Sequence, residues 1–293
     1  MSIPNTFIIG VQKAGTTTLH SWLNQHPDIY GPEYLKDVDY FANPEKADKA
    51  KERLQNDYAG HNGQSIILQT QVNYIFYPEA IKKIKSLTPD AKLILILREP
   101  AERALSAYQY FKKMGGEVRA AEEALLYQPK KDFSFSRNNS DFMYLEHGFY
   151  GKQLETVLDS FSRKQLFVLS FENLKENPKK VLQLIYSFLE IRKDFKPDFK
   201  KQNTTGNPRL AWLHSRLTTT TKARQIVIKL LIDWWLPPKK RQLIRKKLIE
   251  INTTEKENKE HSDFSVIKTQ LEEMFLEDQK KLEQLLGPDF RNL

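Results

Sequence analysis

The chain has 293 residues, 40% of them hydrophobic and 28% charged, with a formal net charge of +9. Those values suit one large α/β domain or two small ones and exclude a disordered chain. The absence of cysteine excludes disulfides, a thiol nucleophile and cysteine-ligated zinc or iron–sulfur centres. A basic chain suits an anionic partner, whether nucleotide, acidic substrate, nucleic acid or membrane, although a lysine-rich solvated surface gives the same sum. Residues 1–5 lead straight into an apolar run, and no stretch is long and apolar enough to cross a bilayer, so a cytoplasmic protein is expected.

Taken in order, Phe7, Ile8, Ile9 and Val11 form a short apolar run, the pattern of a strand covered on both faces. Gly10 and Gly15 bracket a tight turn, and Thr16, Thr17 and Thr18 open a helix carrying Leu19, Trp22 and Leu23. Residues 24–32 read as a turn, a short strand and another turn, 33–41 as a loop beside a cleft, and 44–59 as a charged helix. Strands follow at 65–70, 91–97 and 165–170, with helices at 74–87, 101–111, 144–161 and 177–189. Alternation of strand and helix predicts a parallel sheet with right-handed crossovers. Residues 128–141 are polar and aperiodic, a candidate substrate edge. Trp22, Tyr108, Tyr110 and Phe111 are expected in the core. The remainder reads as mostly helical, ending in a helix over 270–286, with no repeat and no clean domain boundary. The expected organisation is a single domain over 1–293, with an α/β nucleotide-binding core in 1–200 and a closing loop and helices in 201–293.

A glycine turn running into a helix start is an anion site, because the first N–H groups of a helix lack partners and carry its positive dipole end. The spacing from Gly10 to Gly15 meets the start of a Walker A loop, but Thr16 stands where that motif has lysine, and the loop's lysine is Lys13. The strand at 91–97 ends in Arg98, where a nucleoside triphosphatase would place a magnesium-binding aspartate, and Ser106 lies on the helix that follows. Arginine and a helical hydroxyl suit a second phosphate and not a metal. A ligand with phosphates at two separate places is implied, held without magnesium.

The loop Gln12, Lys13, Ala14, Gly15, Thr16, Thr17, Thr18 resembles the 5′-phosphosulfate loop of the sulfotransferases, especially the heparan-type branch and its bacterial relatives. Arg98, Glu99, Pro100 and Arg103 through Ser106 to Tyr108 resemble that family's 3′-phosphate motif, and the resemblance continues through Tyr144–Tyr150, Leu169–Leu174 and Gly287. It implies a P-loop-like three-layer fold, with a central parallel sheet flanked by helices. It also implies transfer of a sulfuryl group from 3′-phosphoadenosine 5′-phosphosulfate (PAPS) to a hydroxyl or amine of a saccharide or small molecule, leaving 3′-phosphoadenosine 5′-phosphate (PAP). Lys13 and the backbone of residues 14–18 would face the 5′ side of the donor, and Arg98 and Ser106 the 3′-phosphate. Gly206 and Arg209 fall where relatives place a loop closing over the nucleotide.

Heparan-type enzymes carry their base in a Lys-Glu-Pro-His-Phe-Phe-like motif. The matching stretch here is Lys36, Asp37, Val38, Asp39, Tyr40, Phe41, which makes Asp37 the first candidate base, Asp39 the second, and Lys36 a neighbouring contact. A Glu-Lys-Ser/Thr-Pro-x-Tyr segment of the family is replaced here by Gln69 to Tyr74, with Thr70 at the lysine and Val72 at the proline. Gln71 and Asn73 are then placed to hydrogen-bond an uncharged or cationic acceptor. A magnesium-dependent P-loop kinase and a non-catalytic polyanion-binding protein are the rival readings. No nucleic-acid recognition motif is present. The basic, tryptophan-bearing segment 222–247 fits a helix packed on the sheet better than one lying on a membrane.

Overall fold

The computed structural model describes residues 3–43, 47–127, 140–199, 207–208, 253–254 and 264–287. A five-stranded sheet of β1 (Thr6–Gly10), β2 (Ile29–Tyr30), β3 (Ile66–Thr70), β4 (Lys92–Leu97) and β5 (Leu166–Ser170) runs in the order β2-β3-β1-β4-β5. Every pairing is parallel. All five residues of β1 and of β3 are buried, which is why residues 7–9 and 66–68 are unbroken apolar stretches instead of alternating ones.

Helices α1 (Thr16–Leu23), α2 (Ala50–Asp57), α3 (Pro78–Leu87), α4 (Pro100–Lys113), α5 (Ala121–Leu125), α6 (Tyr150–Ser160), α7 (Phe171–Glu176), α8 (Pro178–Leu189) and α9 (Ser265–Leu286) complete the order. The connection from β1 moves one way along the sheet and that from β3 crosses back past it. Right-handed crossovers therefore put α1 and α3 on opposite faces. On one face α6 packs against α3 and α9. On the other, the His26 ring in the turn after α1 meets Tyr186 of α8 at 4.8 Å. The result is the three-layer architecture read from the sequence.

Prolines set where several helices begin. Pro78, Pro100 and Pro178 each occupy the first turn of a helix, where a missing N–H costs nothing. The single helix expected over 74–87 is divided for this reason. Tyr74–Phe76 forms a 3₁₀ turn, Tyr77 is extended at ψ 102°, and α3 starts at Pro78. The stretch 144–161 divides likewise into a 3₁₀ turn at Glu146–Gly148 and α6. The short helices α5 and α7 were not expected from periodicity, being only five and six residues long. The final helix begins five residues earlier than the apolar pattern suggested, at Ser265. Residues 128–139, Gly206, Arg209 and the segment 222–247 lie outside the described residues.

Trp22 is buried and meets Phe199 edge-on at 5.1 Å, so it packs behind α1 as expected. A second apolar cluster joins α4, α5 and α9 through Ala104, Tyr108, Leu125, Tyr144 and Phe275. Inside it Arg103 is fully buried and donates to the Tyr144 carbonyl. The helix that carries Ser106 is thus fixed from behind.

Candidate active site

Sheet order decides where the site lies. β1 sits between β3 and β4, and the chain leaves β1 and β4 in opposite directions. That switch point opens a crevice at the carboxyl ends of the strands. Lys13 follows β1 and Arg98 follows β4, so residues 85 apart in sequence become neighbours: Arg98 Nη1 donates to the Lys13 carbonyl at 3.2 Å. Arg98 also lies over the Phe171 ring at 5.0 Å and faces Glu102 at 3.5 Å. Its Nε–H is buried with no partner among the described residues.

Two helix starts face this crevice, and they differ in one respect. At α4 the Glu99 carboxylate accepts from Ala101 N at 2.9 Å and Glu102 N at 2.6 Å, so that terminus already holds an anion. At α1 the cap is Gly15, left-handed at φ 81°, with no side-chain cap. The N–H groups at its first turn are the ones left for a ligand. Gly15 is required for two reasons. Its φ disfavours an L side chain, and a Cβ there would sit 3.2 Å from Leu174 and Phe171. Thr16 is buried, Thr17 exposed and Thr18 half-buried, so the loop presents backbone with one outward hydroxyl-bearing residue.

Among the described residues three that are not glycine have left-handed backbone: Lys13 (φ 68°), Asp37 (φ 61°) and Glu190 (φ 62°). Glu190 caps the end of α8, where that conformation is ordinary. Lys13 and Asp37 are the two residues that the motifs single out for catalysis. Such conformations cost about 1–3 kcal/mol each and persist where surrounding structure imposes them. The imposing contacts are visible: Arg98 holds the Lys13 carbonyl, while Asp37 N donates to Thr70 O at 2.8 Å and Gln71 Nε2 donates to Asp37 O at 3.2 Å.

The Lys13 ammonium lies over the Tyr110 ring, 4.1 Å from its centroid. Burial, then the nearby charges of Arg98 and Lys113, pull its pKa down to about 8. Tyr110 is therefore not the core residue expected; it is half-buried on the site side of α4. Tyr108, two positions back, is buried as expected and its hydroxyl donates to Arg119 O at 3.1 Å. Ser106 is half-buried one turn before Tyr110, on the same stripe of α4.

The two carboxylates after Lys36 are given different work. Asp39 accepts from the backbone N–H groups of Phe41, Ala42 and Asn43 at 3.2, 2.8 and 3.1 Å, which closes a turn. Asp37 pairs with the Lys36 ammonium instead, and its side chain is 36% exposed. Gln71 is spent on structure at both ends, since its Oε1 accepts from Asn73 N at 3.0 Å. Asn73 Nδ2 donates to Asp141 at 3.2 Å. Sequence reasoning missed a further pair. His20 of α1 is buried, and its Nδ1 lies 2.8 Å from Thr70 Oγ1. Burial pushes the His20 pKa down to about 4, so the ring is neutral at pH 7. The signal available was one histidine on the inner face of α1, which alone does not name its partner.

Among the described residues no group of three or more His, Asp or Glu side chains is placed to hold a metal ion. A crystal structure of a sulfotransferase from Alicyclobacillus acidocaldarius is similar, with a TM-score of 0.60 and 28% identity over 70% of this chain and 88% of that one. The mouse bifunctional heparan sulfate N-deacetylase/N-sulfotransferase 4 is 28% identical over 198 residues, 64% of this chain and 22% of that protein. The human heparan sulfate glucosamine 3-O-sulfotransferase 5 is 27% identical over 190 residues, 64% of this chain and 54% of that protein. The chain thus spans about half, or less, of the curated relatives it matches. The model of the sulfotransferase domain matches residues 4–226, a span that contains the Lys13 loop, Asp37 and Arg98, and the chain belongs to that family.

Proposed function

We propose that this protein transfers a sulfuryl group from PAPS to a hydroxyl or amine of a saccharide or small-molecule acceptor, without a metal ion. The observation that carries the reading is the Arg98 to Lys13 contact. It sets Arg98 beside the uncapped start of α1, which supports one site for a ligand with two phosphates, Ser106 being its second 3′ contact by the family resemblance. The residues fit the donor. Among the described residues the buried Arg98 Nε–H has no partner, and α1 has no side-chain cap where α4 has one.

PAPS supplies a sulfuryl group on a phosphate leaving group. Lys13 and the N–H groups of residues 15–18 stabilise negative charge on the 5′ side, with Ala14 lining the loop. Arg98 and Ser106 hold the 3′-phosphate and so fix the nucleotide's position. Asp37 takes the acceptor's proton on its carboxylate, with Lys36 as its neighbour. Gln71 and Asn73 orient the Asp37 segment, and Asp39 shapes the turn beyond it. Gly206 and Arg209 are assigned to the nucleotide by the family resemblance alone.

A magnesium-dependent kinase is disfavoured by the ends of the two strands beside β1. β3 ends at Thr70 and β4 runs into Arg98, and neither offers the aspartate such an enzyme uses for metal. The names of the mouse and human relatives support a saccharide acceptor. The cysteine-free composition and the likeness to the Alicyclobacillus protein support a cytoplasmic, bacterial setting.

Calorimetry with PAP tests the donor. Binding is expected to be equal in EDTA and in magnesium; no binding, or binding only with magnesium, overturns the assignment. Asp37→Asn tests the base. It is expected to lower kcat by roughly 10²–10⁴-fold while PAP affinity stays at the wild-type value, and full activity would remove Asp37 from that role.

A further inference from the structure

We propose that Tyr110 is a positioning residue for Lys13, its ring holding the ammonium at the mouth of the loop until the 5′ side of the donor replaces the ring. The proposal rests on the PAPS reading above. The Nζ lies 4.1 Å from the ring centroid, inside the range where a ring quadrupole attracts a cation. The other charges that act on Lys13, those of Arg98 and Lys113, repel it. Glu102, the nearest carboxylate to Arg98, is shared between Arg98 at 3.5 Å and Lys268 at 3.2 Å. The ring is therefore the attractive contact made by this ammonium among the described residues.

The backbone at Lys13 has little freedom to change that arrangement. Its φ is left-handed at 68°, and Arg98 holds its carbonyl. Movement is left to the side-chain torsions, and these can swing the ammonium between the ring and the adjoining α1 terminus. Tyr110 stands one helical turn from Ser106 on α4, about 6 Å along the helix, so the element that binds one end of the donor also holds the lysine for the other. A face-on ring contact is weaker than a charge-assisted hydrogen bond to a phosphate oxygen, so an arriving donor takes the ammonium from the ring. Before that, the ring keeps a flexible side chain near its working place, which lowers the ordering cost at binding.

The test is NMR on the full chain with ¹³Cε-labelled lysine, the Lys13 resonance being identified by its loss in Lys13→Arg. The Lys13 ε-protons are expected upfield from ring current in the wild type and in Tyr110→Phe, and at the ordinary position in Tyr110→Leu. Titration with PAP is expected to remove the upfield shift from the wild type. A Lys13 resonance identical in wild type and Tyr110→Leu overturns the proposal, as does saturation with PAP that leaves the resonance on the ring. A Tyr110-dependent shift in a protein that binds no PAP overturns the donor reading while the contact itself stands, so the two failures are distinguishable.

Discussion

Lys13→Met is expected to lower kcat for sulfuryl transfer by roughly 10²–10³-fold, the loss found when one preorganised donor to a developing charge is removed. The methionine keeps the unbranched stem and deletes only the charge. The same variant is expected to have a Tm at pH 7 equal to or above that of the wild type. The reason lies in the free site, where burial and repulsion by Arg98 and Lys113 oppose the ammonium and hold its pKa near 8. At pH 7 the lysine is charged, so the folded state bears that cost in full, and deleting the charge relieves it. Loss of activity together with loss of stability would show a folding defect instead. The lowered pKa also fixes the pH dependence of PAP binding. Anionic ligand favours the protonated lysine, so affinity is maximal below about pH 8. Above it, binding must draw in a proton, and affinity falls by about tenfold per pH unit until the bound state titrates as well. Among the described residues the groups facing this ammonium are Arg98, Lys113 and the Tyr110 ring. Calorimetry at pH 9 in buffers of different ionisation heat is expected to show proton uptake in the wild type and none in Lys13→Arg. Equal behaviour of the two proteins would remove Lys13 from the 5′ side.

Arg98→Ala is expected to weaken PAP binding by about 2–4 kcal/mol, roughly 30- to 1000-fold. A guanidinium bound to a phosphate makes charge-assisted hydrogen bonds in a fixed fork, and the Nε–H of Arg98, without a partner among the described residues, can make one. Arg98 also clamps the Lys13 carbonyl, so a loss of affinity alone does not separate a phosphate contact from a scaffold contact. AMP separates them, because it has the 5′-phosphate and lacks the 3′-phosphate. If Arg98 binds the 3′-phosphate, the wild type prefers PAP to AMP and the variant loses most of that preference. If Arg98 acts only through the loop, PAP and AMP weaken by the same factor. Ser106→Ala is the milder counterpart on the same stripe of α4, and should reduce the PAP preference without affecting AMP.

Much of the proposed donor side is read directly from the sequence because its chemistry is local. A buried strand, a glycine turn and a helix start occupy one continuous stretch, and Lys13 sits within it. Arg98 and Ser106 are likewise a strand end and the following helix. The acceptor side was less legible. Asp37 and Asp39 are two residues apart in one irregular loop, and no pattern separates a carboxylate paired with Lys36 from one that closes a turn. Three backbone N–H groups converge on Asp39, and Thr70 and Gln71 fix the backbone at Asp37. Those partners lie more than thirty residues on in the case of Asp37, on the end of β3. Periodicity missed Tyr110 for a related reason. An aromatic residue on an amphipathic helix reads as core, and only the placement of α4 beside the β1 loop turns its ring toward an ammonium.

The sequence by itself determined the parallel α/β class, the glycine turn into an open helix start and the two cations beside it, since hydrophobic runs, glycine freedom and unpaired helix N–H groups act over a few residues. Tertiary structure decided what those pieces do together. The order β3-β1-β4 puts the loops that follow β1 and β4, with Lys13 and Arg98, and the end of β3, to which Asp37 is bonded, at one edge of the sheet, because strands far apart in the chain pair to bury their apolar faces. The same pairing leaves Gly15 with an open helix start where Glu99 has filled another. The loop after β1 thereby gains a clamp from Arg98 and a resting place on Tyr110, neither of which its own residues specify.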